Sequence, residues 1–377
     1  MRIAVNTRLL IRDKLEGMGW FAFETLKRIT KNHPEHDFYF IFDRDPAEEF
    51  IFSNNIYPVI AGPQARHPLL WYMFFEWGLP VAIKRINPDL FMSPDGWLSL
   101  KTKAKSHAVI HDINFEVHPE FLPRHIAAYY HYFFPRFARK ASRIATVSEF
   151  TRKEIALHYA VDTEKIDVVY NGANSDFSPL RDEALIKNIR HTFSGGCPYF
   201  LFIGLVHPRK NLANIITAFD MYRKQFNTNH KLLVVGHVHW WTKELKEAYN
   251  KAVYKEDIIF AGRLPADDLK KIIPAAEALV YVSFYEGFGI PALEAMYCDV
   301  PVIASNRSSL PEVCGDAALY ADPYSPEQIA NAMAEITHQK ELRTRLIITG
   351  AEKRKKFSWD NTAALLWQSM EKCLYGE

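Results

Sequence analysis

Residues 278–294 have the sequence ALVYVSFYEGFGIPALE. The first six residues, ALVYVS, form an apolar run that is typical of a strand covered on both faces of a parallel sheet. Pro291 suits the first turn of a helix, because its missing N–H group would have no partner there in any case. The stretch therefore predicts a strand, a short glycine-containing loop and a helix, which is the repeating unit of an α/β fold.

The loop between this strand and this helix carries groups suited to a sugar or a nucleotide. Glu286 lies in the loop, and Glu294 lies about one turn into the predicted helix. A carboxylate accepts two hydrogen bonds at once, so either residue suits the vicinal hydroxyls of a sugar or a ribose. Gly287 and Gly289, which flank Phe288, allow the backbone to expose N–H groups before the helix. For Glu294, stabilisation of the helix dipole is the alternative interpretation.

A second candidate site follows the apolar run YFLFIG at 199–204. Arg209 and Lys210 come next, and Asn211 is suited to be the N-cap of a following helix. The helix dipole disfavours positive charge at that end, and a bound anion such as a diphosphate would remove the conflict. A solvated basic turn is the alternative interpretation.

Apolar runs of this kind recur along the chain and alternate with helical or irregular segments. They lie at 2–10, 37–43, 88–93, 106–112, 143–148 and 165–172, and again at 199–204, 231–236, 257–262, 278–283, 300–305 and 317–322. This alternation predicts a doubly wound parallel sheet in each half of the chain. Ligands of such sheets bind at the carboxyl ends of the strands, so two sheets that face each other would form a binding cleft.

The domain boundary is expected in the Pro- and Gly-containing segment 173–198, because such composition is typical of a linker. We expect an N-terminal Rossmann-like domain over 1–175 and a C-terminal Rossmann-like domain over 176–356. The segment 357–377 is expected to be a helix that returns to the N-terminal domain.

Composition excludes several classes of protein. The 377 residues carry a net charge of +2, which gives no general field that would attract nucleic acid. None of the four cysteines forms a CxxC pair, as expected in a reducing compartment. The sequence shows neither a signal peptide nor an apolar stretch of about 18 residues, so we expect a cytoplasmic protein.

Seven strings, in the same order along the chain, resemble retaining family-4 glycosyltransferases of the GT-B fold. The resemblance is closest to bacterial mannosyltransferases of surface-polysaccharide (O-antigen) biosynthesis. The strings are GMGWF (17–21), HDINFEVHPEFLP (111–123), TVSEFT (146–151), VVYNGAN (168–174), FIGLVHPRKNL (202–212), YEGFGIPALEAMYCDVPVIAS (285–305) and SSLPEVCGDAALYADP (308–323).

The resemblance implies roles for matching residues of the C-terminal half. Glu294 would hold the ribose hydroxyls of the nucleotide. Arg209 and Lys210 would neutralise the diphosphate. Glu286 and the amides of residues 287–289 would hold the donor sugar.

In the N-terminal half, the resemblance implies roles for three further residues. Gly17 and Gly19 would bring the first βα turn close to a phosphate or to the acceptor. His111, at a strand end, would sit by the reacting carbon. Asp112 would either orient that loop or act as an N-cap.

The implied reaction moves a sugar from a nucleotide-sugar donor to a glycan or lipid-linked glycan acceptor, with retention at the sugar carbon. The resemblance implies neither a metal ion nor a cofactor. GDP-mannose is the expected donor, and a UDP-sugar is the alternative.

Three other interpretations rest on less of the sequence. Residues 17–22 match the GxGxxA dinucleotide fingerprint of an NAD-type oxidoreductase, but five residues, 12–16, separate them from the strand that should lead directly into it. The DxD triplet at 43–45 suits a metal-dependent transferase, and the pair His237 and His239 supplies too few ligands for zinc. A non-catalytic sugar-binding protein would normally carry an export signal.

The segment 121–140 is aromatic and basic, and it allows two interpretations. It is either a core helix of the N-terminal domain with a basic face, or a peripheral contact with the anionic inner membrane near a lipid-linked acceptor. Pro123 and Pro135 limit the extent of any single helix in this segment.

Overall fold

The structure, a computed structural model, describes residues 1–174, 176–238 and 240–376. The chain forms two compact units. The first comprises Met1–Gly172 together with the chain from Trp359 onward, and the second comprises Ala173–Ser358. The sequence analysis set these boundaries after residues 175 and 356.

The first unit alternates strands and helices. Its elements are β1 (Arg2–Asn6), α1 (Gly17–Asn32), β2 (Asp37–Phe42), β3 (Ile56–Ile60), α2 (Pro68–Met73), α3 (Leu79–Ile86), β4 (Leu90–Ser93), β5 (Ser106–Ile110), α4 (Asn114–Val117), α5 (Arg124–Lys140), β6 (Arg143–Thr146), α6 (Glu149–Tyr159) and β7 (Ile166–Val168).

The second unit repeats the same alternation. Its elements are α7 (Glu183–Ser194), β8 (Tyr199–Ile203), α8 (Leu212–Phe226), β9 (Lys231–Val235), α9 (Lys243–Lys251), β10 (Ile258–Gly262), α10 (Ala266–Ile272), β11 (Ala278–Tyr281), α11 (Ile290–Tyr297), β12 (Val302–Ser305), α12 (Leu310–Cys314), β13 (Ala318–Ala321), α13 (Pro326–His338) and α14 (Lys340–Lys353). The last helix, α15 (Trp359–Tyr375), belongs to the first unit.

Each unit has one parallel sheet in which the strand order reverses. The orders are β3-β2-β1-β4-β5-β6-β7 and β10-β9-β8-β11-β12-β13. In the first sheet, the strands are added in one direction from β1 to β3 and in the opposite direction from β4 to β7. In the second sheet, they are added in one direction from β8 to β10 and in the opposite direction from β11 to β13. The loops that follow these four strands lie at the two reversal points, where α/β sheets bind their ligands. The predicted fold class, two doubly wound Rossmann-like units, is confirmed.

The apolar strands lack polar alternation because helices cover both faces of each sheet. In β8, Phe200 and Phe202 pack into one hydrophobic cluster, while Tyr199, Leu201 and Ile203 pack into another. All five side chains are buried. Full burial of an aromatic or branched side chain contributes about 1.5–3 kcal/mol, so a short strand of this composition is held firmly.

One strand escaped the sequence analysis. Strand β3 has the sequence IYPVI and lies at the edge of the first sheet, where it pairs only with β2. Three of its five residues are exposed, and Pro58 lies at its centre. A proline cannot donate to a neighbouring strand, which makes it compatible with an edge position alone. Because Pro58 interrupts its apolar residues, this segment was not predicted to be a strand.

Helix α15 packs against the first unit, and polar contacts hold it there. Thr362 donates to the carbonyl of Tyr170 at 2.7 Å, and Ser369 donates to Asp167 Oδ2 at 2.6 Å. The ring of Trp367 stacks on that of His33 with 3.8 Å between centroids.

Of the two prolines in the segment 121–140, only Pro123 limits the helix, because α5 begins directly after it. A single helix runs from Arg124 to Lys140 with Pro135 inside it. Its buried face, which includes Phe134 and Phe137, belongs to the core of the first unit. The described residues, 1–174, 176–238 and 240–376, include no helix with the length and apolar composition of a membrane span.

Candidate active site

The loops that follow β8 and β11 meet at the reversal point of the second sheet, because these two strands are neighbours. The amide of Phe284 donates to the carbonyl of Arg209 at 2.9 Å and joins the loops directly. Residues that are more than seventy positions apart in the sequence therefore share one site.

An ion cluster lies at this junction. The carboxylate of Glu286 is paired on one oxygen with Arg209 Nη1 at 2.8 Å and on the other with Lys210 Nζ at 2.6 Å. Lys210 also donates to the hydroxyl of Tyr281 at 2.7 Å, and Arg209 donates to the carbonyl of Tyr285 at 2.8 Å. The three charged side chains hold one another in place.

The charge state of Glu286 follows from this geometry. Burial by itself would raise the pKa of this carboxyl, but the adjacent Arg209 and Lys210 lower it to about 2. Glu286 is therefore ionised at neutral pH, and the cluster of two cations and one carboxylate has a net charge of +1. A site of this charge is suited to an anion such as a diphosphate.

The sequence analysis assigned Glu286 to the sugar and the two cations to the diphosphate. The structure brings all three into one cluster, so Glu286 also holds the two cations. The solvated-turn interpretation of Arg209 and Lys210 is wrong, because their side chains are only 20% and 11% exposed and both are ion-paired.

The loop before α11 requires glycine at one position. Gly289 has φ = +114°, and a Cβ atom there would lie 2.6 Å from Leu310 Cδ2. Pro291 lies in the first turn of α11, as predicted. The loop of residues 287–289 thus ends in a conformation and a space that only glycine accommodates.

Two serines that the sequence analysis gave no role fix this loop from the next strand. The hydroxyl of Ser309 donates to the carbonyls of Glu286 and Phe288 at 2.9 and 3.0 Å. The hydroxyl of Ser308 accepts from the amide of Glu286 at 3.1 Å. Both follow β12, a neighbour of β11, and a search of every strand end would have drawn attention to them.

Glu294 differs from Glu286 in its surroundings. It lies in the second turn of α11, and no described residue pairs with its carboxyl group or donates a hydrogen bond to it. Burial raises the pKa of Glu294 to about 8. Hydroxyl groups that donate hydrogen bonds to this unpartnered carboxyl group would stabilise its ionised form, and a ribose carries such hydroxyl groups.

Asn211 has another role than the predicted one. It precedes α8, but its side chain makes no capping hydrogen bond. Its amide group instead donates to the carbonyls of Val282 and Pro323 at 2.9 and 2.7 Å. Asn211 therefore ties the β8 loop to the segments after β11 and β13.

In the first unit, the structure places Gly17 and Gly19 in the first turn of α1, after a ten-residue loop from β1. A Cβ atom on Gly19 would lie 3.1 Å from the carbonyl oxygen of Leu9, whereas Gly17 has open space around it. Close packing against the preceding loop therefore explains Gly19, while Gly17 is free to approach a ligand.

His111 follows β5 directly and is held in a defined orientation. Its Nε2 lies 2.8 Å from the carbonyl oxygen of Pro94, and its ring packs edge-on against Phe21 at 4.8 Å. Burial lowers the pKa of His111, so the ring is neutral at pH 7. The carbonyl is an acceptor, so Nε2 carries the proton and the lone pair lies on Nδ1.

The DxD triplet and the GxGxxA match differ in structure from the sites that their sequences suggest. Asp43 is buried, binds Arg44 through both carboxylate oxygens and accepts from the amide of Ala65 at 2.9 Å, so it has little capacity left for a metal ion. Of the pair His237 and His239, the second residue lies outside the described residues. Residues 17–22 form a helix well after β1, unlike a dinucleotide fingerprint.

One cluster in the described part of the chain has side chains close enough to share a metal ion. It comprises His33, Glu35 and His36 and lies between α1 and β2, at the amino edge of the first sheet. It is therefore away from the carboxyl ends of the strands where the candidate site residues lie.

Comparisons with known proteins agree with these observations. The model of the family described as Glycosyltransferase Family 4 matches residues 15–177, and the model described as Glycosyl transferases group 1 matches residues 187–353. Each model therefore covers most of one unit.

Two curated relatives and one solved structure extend this likeness. The chain is 30% identical over 280 residues to O-antigen chain mannosyltransferase B of Escherichia coli, which covers 74% of this chain and 73% of the relative. It is also 30% identical over 271 residues to O-antigen chain mannosyltransferase RfbU of Salmonella typhimurium, which covers 71% of each. Sucrose-phosphate synthase from Thermosynechococcus elongatus shares the fold, with a TM-score of 0.78 at 17% identity over 100% of both chains. From its two family models, its relatives and its pair of doubly wound sheets, this protein belongs to the glycosyltransferases of the GT-B fold.

Proposed function

We propose that this glycosyltransferase transfers mannose from GDP-mannose to a glycan or lipid-linked glycan acceptor, with retention and without a metal ion. The observation that carries the proposal is the ion cluster of Arg209, Lys210 and Glu286 at the reversal point of the second sheet. It combines net positive charge with the amino end of α11, and both favour a nucleoside diphosphate.

Each unit supplies one part of the chemistry. The second unit holds the donor, with Glu294 at the ribose, Arg209 and Lys210 at the diphosphate, and Glu286 with the amides of 287–289 at the sugar. The first unit holds the acceptor and contributes His111. The neutral ring of His111 offers a lone pair at Nδ1 to a substrate hydroxyl.

The reaction breaks the bond between the sugar carbon and the diphosphate oxygen and forms a bond from that carbon to the acceptor oxygen. The acceptor proton passes to the departing diphosphate oxygen. Negative charge grows on the diphosphate as it leaves, and preorganised cations and amides stabilise that charge. Retention on the same face of the sugar needs no carboxylate nucleophile. Glu286, ionised and bound to two cations, is a poor one.

The same cluster supports the proposal that no metal ion is needed. Arg209 and Lys210 supply the positive charge that a divalent cation supplies in other transferases. The DxD triplet at 43–45 does not compete as a metal site, because Asp43 is bound to Arg44 and Ala65.

The choice of GDP-mannose rests on the two O-antigen mannosyltransferases that are 30% identical to this chain. A UDP-sugar is the alternative donor, since no contact in the structure distinguishes guanine from uracil. We place the protein in the cytoplasm. The exposed basic residues of α5, Arg124, Arg136 and Arg139, are suited to peripheral contact with anionic inner-membrane lipid.

A transfer assay with defined donors tests the proposal. The full chain is incubated with fluorescently tagged mannotriose and GDP-mannose, UDP-glucose or UDP-galactose, and the product linkage is determined by NMR. We expect an α-mannosylated product from GDP-mannose and raised melting temperatures with GDP. An inverted linkage would contradict retention, product from a UDP-sugar alone would establish the alternative donor, and no product from any donor would contradict the proposal.

A further inference from the structure

The reversal point of the first sheet holds a polar cluster with no counterpart in the sequence motifs. Asp95, after β4, is buried and accepts from Asn6 Nδ2 at 2.9 Å, from Ser93 Oγ at 2.9 Å and from the amide of Trp97 at 3.3 Å. All of these contacts reach one carboxylate oxygen, Oδ1. These three hydrogen bonds therefore fix the position of Asp95 independently of its ion pair.

Arg8, which follows β1, completes the cluster with only part of its guanidinium group. Its Nε donates to the other oxygen of Asp95 at 2.8 Å, and its side chain is only 10% exposed. The guanidinium carbon lies 4.8 Å from the ring centroid of Trp97 and 5.4 Å from that of Phe75. An ion pair and two aromatic faces thus hold this arginine rigidly.

The two terminal nitrogens of Arg8 make no hydrogen bond with any described residue. Neither nitrogen is fully buried, so the 10% of the side chain that remains exposed keeps them in contact with solvent. A rigid pair of NH₂ groups can donate to two neighbouring oxygens at once. Such donors, fixed at a strand reversal point, form a built binding site.

Consecutive residues of the β4 loop orient both Arg8 and His111. Pro94 accepts from His111 Nε2 at 2.8 Å, and Asp95 pairs with Arg8 Nε at 2.8 Å. The donors of Arg8 and the Nδ1 lone pair of His111 are therefore presented by one loop. A hydroxyl-bearing ligand that extends along this loop would find donors at Arg8 and an acceptor at His111.

The charges around Arg8 favour an uncharged ligand. Asp95 already balances the guanidinium charge, and Asp112 adds a second carboxylate to the field at His111 and Tyr130. An anionic ligand would be repelled by these two carboxylates, because the positive charge of Arg8 is already balanced by Asp95. Vicinal sugar hydroxyls accept hydrogen bonds from a guanidinium group and carry no charge.

We propose that Arg8 binds neighbouring hydroxyl groups of a neutral sugar of the acceptor, at the carboxyl edge of the first sheet beside His111. This inference rests on the proposed function, since it presumes a glycan acceptor. It makes Arg8 a specificity residue for the acceptor and gives it no part in holding the donor.

Two variants separate this role from a structural one. Arg8→Lys keeps a cation beside Asp95 but loses the paired terminal donors. The double variant Arg8→Met with Asp95→Asn removes both charges, so no buried carboxylate is left unpaired. The matched control is Arg143→Lys, which alters an arginine paired with Asp167 at the start of β6, on the opposite edge of the sheet.

The assay measures KM for mannotriose, kcat, the affinity for GDP by calorimetry, and mannotriose binding by saturation-transfer NMR. We expect both Arg8 variants to raise the KM for mannotriose by at least about tenfold, to weaken its NMR signal and to leave GDP affinity unchanged. The Arg143→Lys control should keep the wild-type KM.

Two results would overturn the inference while leaving the proposed function intact. One is wild-type KM for mannotriose in both Arg8 variants. The other is a loss of GDP affinity as large as the rise in KM for mannotriose, which would show that Arg8 binds the nucleotide-sugar or has a structural role. A rise in wild-type KM with added salt would contradict the neutral character of the bound group. A wild-type enzyme that transfers no sugar would instead contradict the proposed function.

Discussion

Glu286 and Glu294 stand eight residues apart on the loop and helix after β11, and their carboxyl groups differ in charge at neutral pH. The pKa of Glu286 is lowered to about 2 by Arg209 and Lys210, and that of Glu294 is raised to about 8 by burial without a partner. The two residues should therefore differ in their effects on ligand affinity, in their pH dependence and in the effects of their substitution.

The affinity for nucleoside diphosphate should depend on the protonation of Glu294. In the free protein this carboxyl is protonated below about pH 8, and ribose hydroxyls that donate to it favour its ionised form. Binding must then release a proton, so affinity should fall as the pH falls from 8 towards 6. Calorimetric titration with GDP at several pH values measures this slope.

The control for this experiment is Glu294→Gln, which keeps the size of the side chain but cannot titrate. Its remaining pH dependence reports the titration of the diphosphate itself. Equal slopes for the two proteins would show that Glu294 does not contact the ribose. Glu294→Ala should in addition weaken GDP binding by at least about tenfold.

The same residue should lower the stability of the unliganded protein. The folded-state pKa of Glu294, about 8, lies above its ordinary value of 4.5, so the folded state binds the proton more tightly. Stability is therefore fully present below about pH 4.5 and is lost as pH rises to 8. Glu294→Gln should raise the free energy of unfolding at pH 8 by on the order of a few kcal/mol at most, which raises the melting temperature by a few degrees. At pH 4.5 the same substitution should hardly change the melting temperature. Differential scanning fluorimetry at both pH values checks this difference, and an equal shift at both would contradict it.

Replacement of Glu286 should separate binding from turnover. Glu286→Gln removes the anion that holds Arg209 and Lys210, which raises the net charge of the cluster from +1 to +2. Affinity for GDP should not weaken, because the diphosphate gains from the added positive charge. Affinity for GDP-mannose and kcat should fall at least about tenfold, because the donor sugar loses its charged hydrogen-bond partner and the cations lose their orientation for the reaction. Loss of GDP affinity as large as in Glu294→Ala would show that the assignment of the two glutamates is wrong.

Arg209 should act mainly on turnover. Its guanidinium is ion-paired in the ground state and stabilises charge that grows as the diphosphate departs. Arg209→Ala should lower kcat on the order of 10²-fold. Arg209→Lys, with its charge retained but its bond to Tyr285 lost, should show an intermediate kcat. Steady-state kinetics on folded variants provide the measurement, and an unchanged kcat in Arg209→Ala would exclude this role.

Activity should persist in excess EDTA, because the cations of the cluster are side chains. The assay compares initial rates with EDTA, with Mg²⁺ and with Mn²⁺. Loss of activity that Mn²⁺ or Mg²⁺ restores would contradict metal independence. The variant Asp43→Asn would then test the DxD triplet.

The sequence by itself determined the local elements and the two loops of the donor site. Twelve strands were predictable because each lies in a short, mainly apolar run, as in ALVYVS, and most of them are buried on both faces. Strand β3 was not, because Pro58 interrupts its apolar residues. The glycines, Pro291 and the two glutamates were visible for a similar reason, since conformational and charge requirements are local.

Only the tertiary structure decided which of these residues meet. Glu286 pairs with two cations more than seventy residues earlier, and Arg8 pairs with Asp95 across 87 positions. Both contacts arise because β8 lies beside β11 and β1 lies beside β4. Strand order depends on how helices pack over both faces of a whole sheet, and hydrophobic periodicity within one segment carries no record of it. The same limit applies to Glu294, whose raised pKa results from burial by its neighbours and not from its own sequence.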